Sequence, residues 1–294
     1  MIGFAHNMAD ACLNTVDIGF AELGYYKVAF LGVVQGITEL LPISSTAHMR
    51  VIPALLGWRD PGSAFSAAMQ LAALVAVACY FRNDVSQLIK FSFRALIEKN
   101  FEDPYLRLSV WIVLATIPIG ASGLALSGIL NTCESPLRSL AIIGVSCIVM
   151  SVALALAEIF SRHTRLLESA NLRDALIVGL AQVGALIPGV SRSGSTITAA
   201  LALGFKRSEA ARFSFLLGIP AIALAGAKEI WELKQIGLPV DGWLILSVGL
   251  LFGSVSAFVA IWILMRFLEK FSSWPFVVYR FAFGVVILIL YTRQ

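Results

Sequence analysis

Charge is scarce in this chain: Asp, Glu, Lys and Arg make up 14% of its 294 residues, against about a quarter in ordinary soluble domains. With 59% of residues apolar and a mean hydropathy of +0.85, too little polar surface remains to cover a water-soluble fold, and the chain falls in the polytopic membrane class. Cysteine is equally sparse. Cys12, Cys79, Cys133 and Cys147 have no CxxC spacing, so no disulfide framework or zinc site follows, and they read as small buried apolar residues. The first two dozen residues lack a basic segment ahead of an apolar core and do not resemble a cleavable signal peptide. Residues 1–24 are expected to form an N-terminal extension, an amphipathic helix lying at the membrane interface. The formal net charge of +4 resides in a few loops and gives no support to nucleic-acid binding.

What the chain has instead is long apolar runs, at 64–81, 108–129, 140–159, 213–227, 243–265 and 275–291, each near the roughly 17–25 residues that span a bilayer as a helix. Two polar stretches interrupt this pattern. Gln35…Glu39…Pro42…Ser44-Ser45-Thr46…His48 is echoed by Gln182…Pro188…Ser191-Arg192-Ser193…Thr196, and each is followed by Phe65-Ser66 or Phe213-Ser214 opening a longer apolar run. The pieces 26–41 with 45–56, and 175–187 with 194–204, are short and broken by Pro with Ser or Gly. They read as re-entrant helix pairs, which lipid tolerates only where protein or water satisfies the broken backbone. The expected fold is an all-α polytopic membrane protein, one integral domain built as an inverted repeat. The halves are residues 25–160 and 173–292, each a re-entrant pair followed by about three transmembrane helices. Pro118 and Pro220 lie inside longer runs and are expected to kink them.

Basic residues in loops 82–107, 160–173, 205–212 and 266–274 place those loops in the cytoplasm if the positive-inside rule holds. Loops around 57–62, 131–138 and 228–241 then face outward, and both termini are extracytoplasmic.

A charge at the centre of a membrane helix costs about 2.5–3.5 kcal/mol on insertion scales, so Glu39 and Arg192 need partners or a wet cavity. Ser44 or Ser45, and a serine between Ser191 and Ser193, stand where N-caps would open two short helices. Two such helix ends meeting at the midplane would make an anion site. Arg192 can grip phosphate oxygens bidentately, with Ser191, Ser193 and Thr196 as hydroxyl donors around it, and Ser44, Thr46 and Gln35 as further candidates in the first stretch. Gln35 and Glu39 are four apart and share a helix face, as do Ser44 or Ser45 with His48, so carboxylate, hydroxyl and imidazole can converge for phosphoryl transfer. Glu39 could also hold Mg2+ or Ca2+ against a diphosphate. His6 and His163 lie outside these stretches.

At these residues the chain resembles the undecaprenyl-diphosphatase, or bacitracin-resistance, family. The Gln35/Glu39 and Pro42-to-His48 run, the Pro188-to-Thr196 run and the ending Phe271…Pro275-Phe276…Tyr279-Arg280-Phe281 carry the resemblance, which covers residues 25–292. It implies hydrolysis of a C55 polyprenyl diphosphate to the monophosphate and inorganic phosphate on the extracytoplasmic side of a bacterial inner membrane, recycling the carrier lipid for peptidoglycan. It also implies Glu39, Ser45, His48 and Arg192 as the catalytic core, with Ser191, Ser193 and Thr196 binding phosphate. Gln35 stands where some members carry Glu, which weakens a metal-ligand role there, and Ala47 where many carry Gly. The implied partners are the membrane and the lipid substrate, and a homodimer is compatible with them. A polyprenyl-phosphate transporter or flippase using the same cavity is the alternative of a different class.

Overall fold

The computed structural model describes residues 18–126, 137 and 139–292, and within them the protein is all-helical. Cys12, Cys133, His6, most of the expected N-terminal extension and the loop 131–138, save Leu137, lie outside the described residues. The helices are α1 (Gly24–Leu40), α2 (Ser45–Leu55), α3 (Ser63–Ala68), α4 (Gln70–Tyr80), α5 (Arg82–Ile97), α6 (Pro104–Ala125) and α7 (Leu140–Phe160). They continue as α8 (Leu172–Val183), α9 (Arg192–Ala202), α10 (Arg207–Gln235), α11 (Val240–Lys270) and α12 (Trp274–Thr292). Among the described residues, six segments are long and apolar enough to cross a membrane: Ser63–Tyr80, which is α3 with α4, then α6, α7, α10, α11 and α12. The protein is thus a multi-pass membrane protein whose two short pairs, α1 with α2 and α8 with α9, are inserted between its spanning helices.

Four details differ from the sequence expectation. The run 64–81 is divided at Met69 into two helices. Loop 82–107 contains a full helix, α5, because its apolar and charged residues alternate with helical period and so remain at an interface rather than in lipid. Cys79 is exposed on α4 rather than buried, whereas Cys147 is buried as expected. The end of the expected N-terminal extension is also not peripheral: Phe20 is fully buried and stacks on Phe65, ring centroids 5.3 Å apart.

Glycine sets how closely the helices approach. α1 lies along α11 with Gly32 against the Gly249 carbonyl and Gly36 against that of Gly253, so the two helices run side by side with backbones nearly touching, as small residues permit in membranes. α8 meets α6 in the same way, Gly179 facing Ala115, and α7 meets α12 at Gly144 and Gly284. α4 and α10 pack together at the centre, with α11 and α6 respectively beside them.

Ion pairs gather the ends of several helices at one end of the bundle. Arg212 pairs with Asp84, Glu168 and Glu209, Arg207 with Glu158, and Arg165 with Asp174. The start of α5, the end of α7, the loop to α8 and the start of α10 therefore share one side. The sequence had grouped these three basic loops, together with 266–274, by charge alone; the ion pairs join the three and do not reach 266–274.

The α1–α11 contact gives a paired expectation. A Cβ at Gly36 would collide with the Gly253 carbonyl and Ser256, while one at Gly120 in α6 would meet nothing within 4 Å. Gly36→Ala should lower the melting temperature of the detergent-solubilised protein by an amount corresponding to roughly 1–3 kcal/mol. Gly120→Ala should leave it unchanged or raise it by up to about 1 kcal/mol, because alanine is the better helix former. Equal effects from the two would mean that the close approach does not limit packing.

Candidate active site

Both helix pairs break in the same way. α1 ends as Leu41 turns extended, with φ −72° and ψ 146°, the conformation favoured ahead of proline. Ser44 then adopts φ 72° and caps α2, its hydroxyl accepting the Ala47 amide at 3.4 Å and pairing with the Thr46 hydroxyl at 3.1 Å. In the second pair α8 runs into a short 3-10 turn, Gly184–Leu186, and Ser191 at φ 67° caps α9. Its hydroxyl accepts the Gly194 amide at 3.1 Å and pairs with Ser193 at 3.2 Å. Left-handed backbone at a residue other than glycine costs about 1–2 kcal/mol, and both serines occupy it.

Three further contacts bind the two breaks together. The Ser193 hydroxyl donates to the carbonyls of Glu39 (3.0 Å) and Leu41 (3.1 Å), and the Gly189 amide donates to Thr46 (3.3 Å). Arg280, fully buried in α12, donates to the carbonyls of Pro42 (3.2 Å), Gly189 (2.6 Å) and Val190. The N-termini of α2 and α9 therefore meet, and their partial positive charges fall in one place.

Glu39 lies at this junction. Its Oε2 accepts the Ser45 hydroxyl at 2.6 Å and the Gln35 amide at 3.0 Å, and its Oε1 faces Arg192 Nη2 at 3.5 Å. The Arg192 side chain is only 9% exposed, yet its Nε, Nη1 and Nη2 are buried with no hydrogen-bond partner. Gly218 of α10 lies directly against the guanidinium, where any Cβ would collide with it. A buried guanidinium with unused donors is a costly arrangement unless an anion arrives to take them. Gln35 Oε1 and both amide atoms of Gln182, its counterpart in the second stretch, are likewise buried without partners.

The other expected residues divide into two groups. Ser45 and Gln35 converge on Glu39, and Ser191 lies beside Ser193 at the cap. Ser193 and Thr46 hold the breaks together, and Thr196 bonds the α9 carbonyls of Arg192 and Ser193 and the Ser214 hydroxyl at 2.6 Å, deep in the core. His48 makes no hydrogen bond to Ser45. Its Nδ1 lies 2.7 Å from the Ser44 carbonyl and its Nε2 2.7 Å from the Tyr279 hydroxyl, with Phe283 stacked on the ring. Tyr279, Arg280 and Gly218 had been given no role. The available signal was Arg280, a charge inside an apolar span, which calls for buried partners.

A divalent cation could draw on the Glu39 carboxylate and the free Oε1 of Gln35. No cluster of three or more His, Cys, Asp or Glu side chains suited to a metal lies among the described residues, so oxygens of a bound ligand would have to complete the coordination.

Residues 28–286 match the model of the bacitracin resistance protein BacA family. The chain is 68% identical over 256 residues to undecaprenyl-diphosphatase 2 of Mesorhizobium japonicum, covering 87% of this chain and 97% of that protein. It is 45% identical over 286 residues to the undecaprenyl-diphosphatase of Trichormus variabilis, covering 97% and 89%, and 49% identical over 266 residues to that of a Synechococcus species, covering 90% and 93%. The chain therefore belongs to the bacitracin resistance protein BacA family.

Proposed function

We propose that the protein is an undecaprenyl-diphosphate phosphatase, releasing inorganic phosphate from a C55 polyprenyl diphosphate and returning the monophosphate carrier to peptidoglycan synthesis. The observation that carries this reading is the buried Ser45–Glu39 hydrogen bond of 2.6 Å beside the guanidinium of Arg192, whose buried nitrogens make no hydrogen bond. That combination supplies a nucleophile, a proton acceptor and an oxyanion clamp. The family and the relatives' names agree with it, and none of the relatives named above is a transporter, so the flippase alternative has no support.

In the mechanism, Ser45 Oγ attacks the terminal phosphorus while its proton passes to Glu39 Oε2. The bond to the bridging oxygen breaks, and polyprenyl monophosphate leaves. Water then cleaves the phosphoserine, releasing inorganic phosphate and restoring the serine. Arg192 and the facing ends of α2 and α9 neutralise charge on the equatorial oxygens. Attack by a water activated at Glu39 is the alternative route. A bound Mg2+ or Ca2+, held by Glu39 and Gln35 with the substrate's oxygens, would supply further charge neutralisation.

The lipid tail needs an apolar path from this site. A groove of about 460 Å³ lies between α1, α11 and α12, lined by Ile37, Leu41, Val259, Ile263, Phe267 and Phe276 among others. It begins at Leu41, the residue that turns the chain into the first break, and suits the isoprene units nearest the diphosphate.

The same reading makes residues 25–160 and 173–292 inverted repeats in a bacterial inner membrane, with the site open to the extracytoplasmic side. The exchanged packing supports the repeat: α1 on α11 corresponds to α8 on α6, and α7 on α12 and α4 on α10 are self-matching pairs. The basic loops tied together by ion pairs support the orientation.

Detergent-solubilised protein should release phosphate from a prenyl diphosphate, a result that needs chemistry but no sealed compartments. Ser45→Ala should lower the rate by orders of magnitude. If the folded variant kept a tenth or more of the rate, the change would be worth no more than one hydrogen bond, about 0.5–1.5 kcal/mol, and the water route would replace the serine. No release by the unaltered protein would overturn the phosphatase reading.

Filling the groove tests this path. Ile263→Trp is expected to raise KM severalfold for C15 and C55 diphosphates alike, because both carry the isoprene units nearest the diphosphate. An unchanged KM for both would place the tail elsewhere.

Orientation can be read from thiol labelling in a background without the native cysteines. A cysteine replacing exposed Leu56 should react with an impermeant reagent in intact spheroplasts, and one replacing Asn100 only after lysis. The reverse order would invert the topology.

A further inference from the structure

We propose that Tyr279 is a positioning residue for this hydrolysis, acting through His48 by donating to Nε2 of the Nδ1–H tautomer that the Ser44 carbonyl selects. The proposal rests on the phosphatase reading above and adds a division of labour within the site. The Ser44 carbonyl has only lone pairs to offer, so its 2.7 Å contact with His48 Nδ1 requires the proton on that nitrogen. In the neutral ring Nε2 is then a bare acceptor and needs a donor. The Tyr279 hydroxyl, 2.7 Å away, is the group that faces it. Phe283 stacks on the imidazole at 4.3 Å between centroids and Tyr279 lies nearly parallel to it at 5.7 Å, so the ring can neither tilt nor turn freely.

The held carbonyl belongs to the strained residue immediately before the nucleophile. Ser44 adopts φ 72°, and its carbonyl also accepts the His48 amide at 3.3 Å. Backbone and ring of one residue thus pin the turn that aims Ser45 at Glu39. With Ser45 donating to Glu39 and no hydrogen bond joining it to His48, the imidazole serves the geometry of the turn and the carboxylate takes the proton. Tyr279 and Arg280 are adjacent in α12, so the same turn of helix that fixes the two breaks also supplies the donor to His48 Nε2.

The tautomer can be read without substrate. Ring 15N spectra of the unaltered protein, with His48→Asn identifying the His48 signals, should show a protonated Nδ1 and a bare Nε2. Tyr279→Phe should leave Nδ1 protonated, shift the Nε2 resonance toward that of a nitrogen with no donor, and lower kcat about tenfold, the value of one hydrogen bond, with KM changed by less than about twofold. His48→Asn, whose amide can still donate to the Ser44 carbonyl, should retain more activity than His48→Ala, and in that background Tyr279→Phe should have no further effect. An Nε2–H ring in the unaltered protein, an unchanged kcat in Tyr279→Phe, or fully additive losses in the double variant would each overturn the proposal. Absence of phosphate release by the unaltered protein would instead overturn the activity on which it rests.

Discussion

Everything at the centre of this protein depends on two broken helices being tied to one another by their backbone carbonyls. An interrupted helix inside a bilayer leaves N–H and C=O groups that lipid cannot satisfy. Here each break supplies part of what the other needs. Ser193 of the second serves the carbonyls at Glu39 and Leu41 of the first, Thr46 of the first accepts the Gly189 amide of the second, and Arg280 donates to carbonyls of both. The fork of a guanidinium suits this task, because several donors in fixed geometry can reach several acceptors at once.

Two buried arginines consequently play opposite parts. Arg280 spends its hydrogen bonds on the protein, whereas Arg192 has one ion-pair contact at 3.5 Å and three buried nitrogens without hydrogen bonds. Taking a charge out of water costs several kcal/mol even after relaxation, so the fold tolerates at Arg192 a deficit that a phosphate would relieve. The clamp's donors are spent on the fold, and its neighbour's are left unused. Gly218, with no side chain to displace the guanidinium, preserves the room this requires.

Glycine has the same value on the larger scale. Gly32 and Gly36 against Gly249 and Gly253 bring α1 and α11 together along one stretch, and beyond Leu40 α1 ends while α11 continues to Lys270. The space left below the helix end is the apolar groove beside the first break. In the proposed function, the headgroup site and the path for the lipid tail thus arise from one event, the early termination of a helix ahead of Pro42.

The sequence by itself determined the membrane class, the two breaks and their serine caps, and the grouping of basic loops, because each is a local property. Apolar run length, the turn ahead of a proline, a capping hydroxyl and the cost of charge in lipid can all be judged within about twenty residues. It also marked Glu39, Ser45 and Arg192, since polar groups inside apolar sequence demand an explanation. Only the tertiary structure decided which partner each polar atom took. His48, spaced to meet a serine, turns to Ser44's carbonyl and to Tyr279, 231 positions away. Thr196, expected to face phosphate, is bound to Ser214 in the core, and Ser193 is committed to carbonyls about 150 positions distant. α5 appeared within a stretch whose charge had suggested a loop. Helical spacing fixes the face on which a side chain lies, but its hydrogen-bond partner is fixed only when distant segments pack against that face.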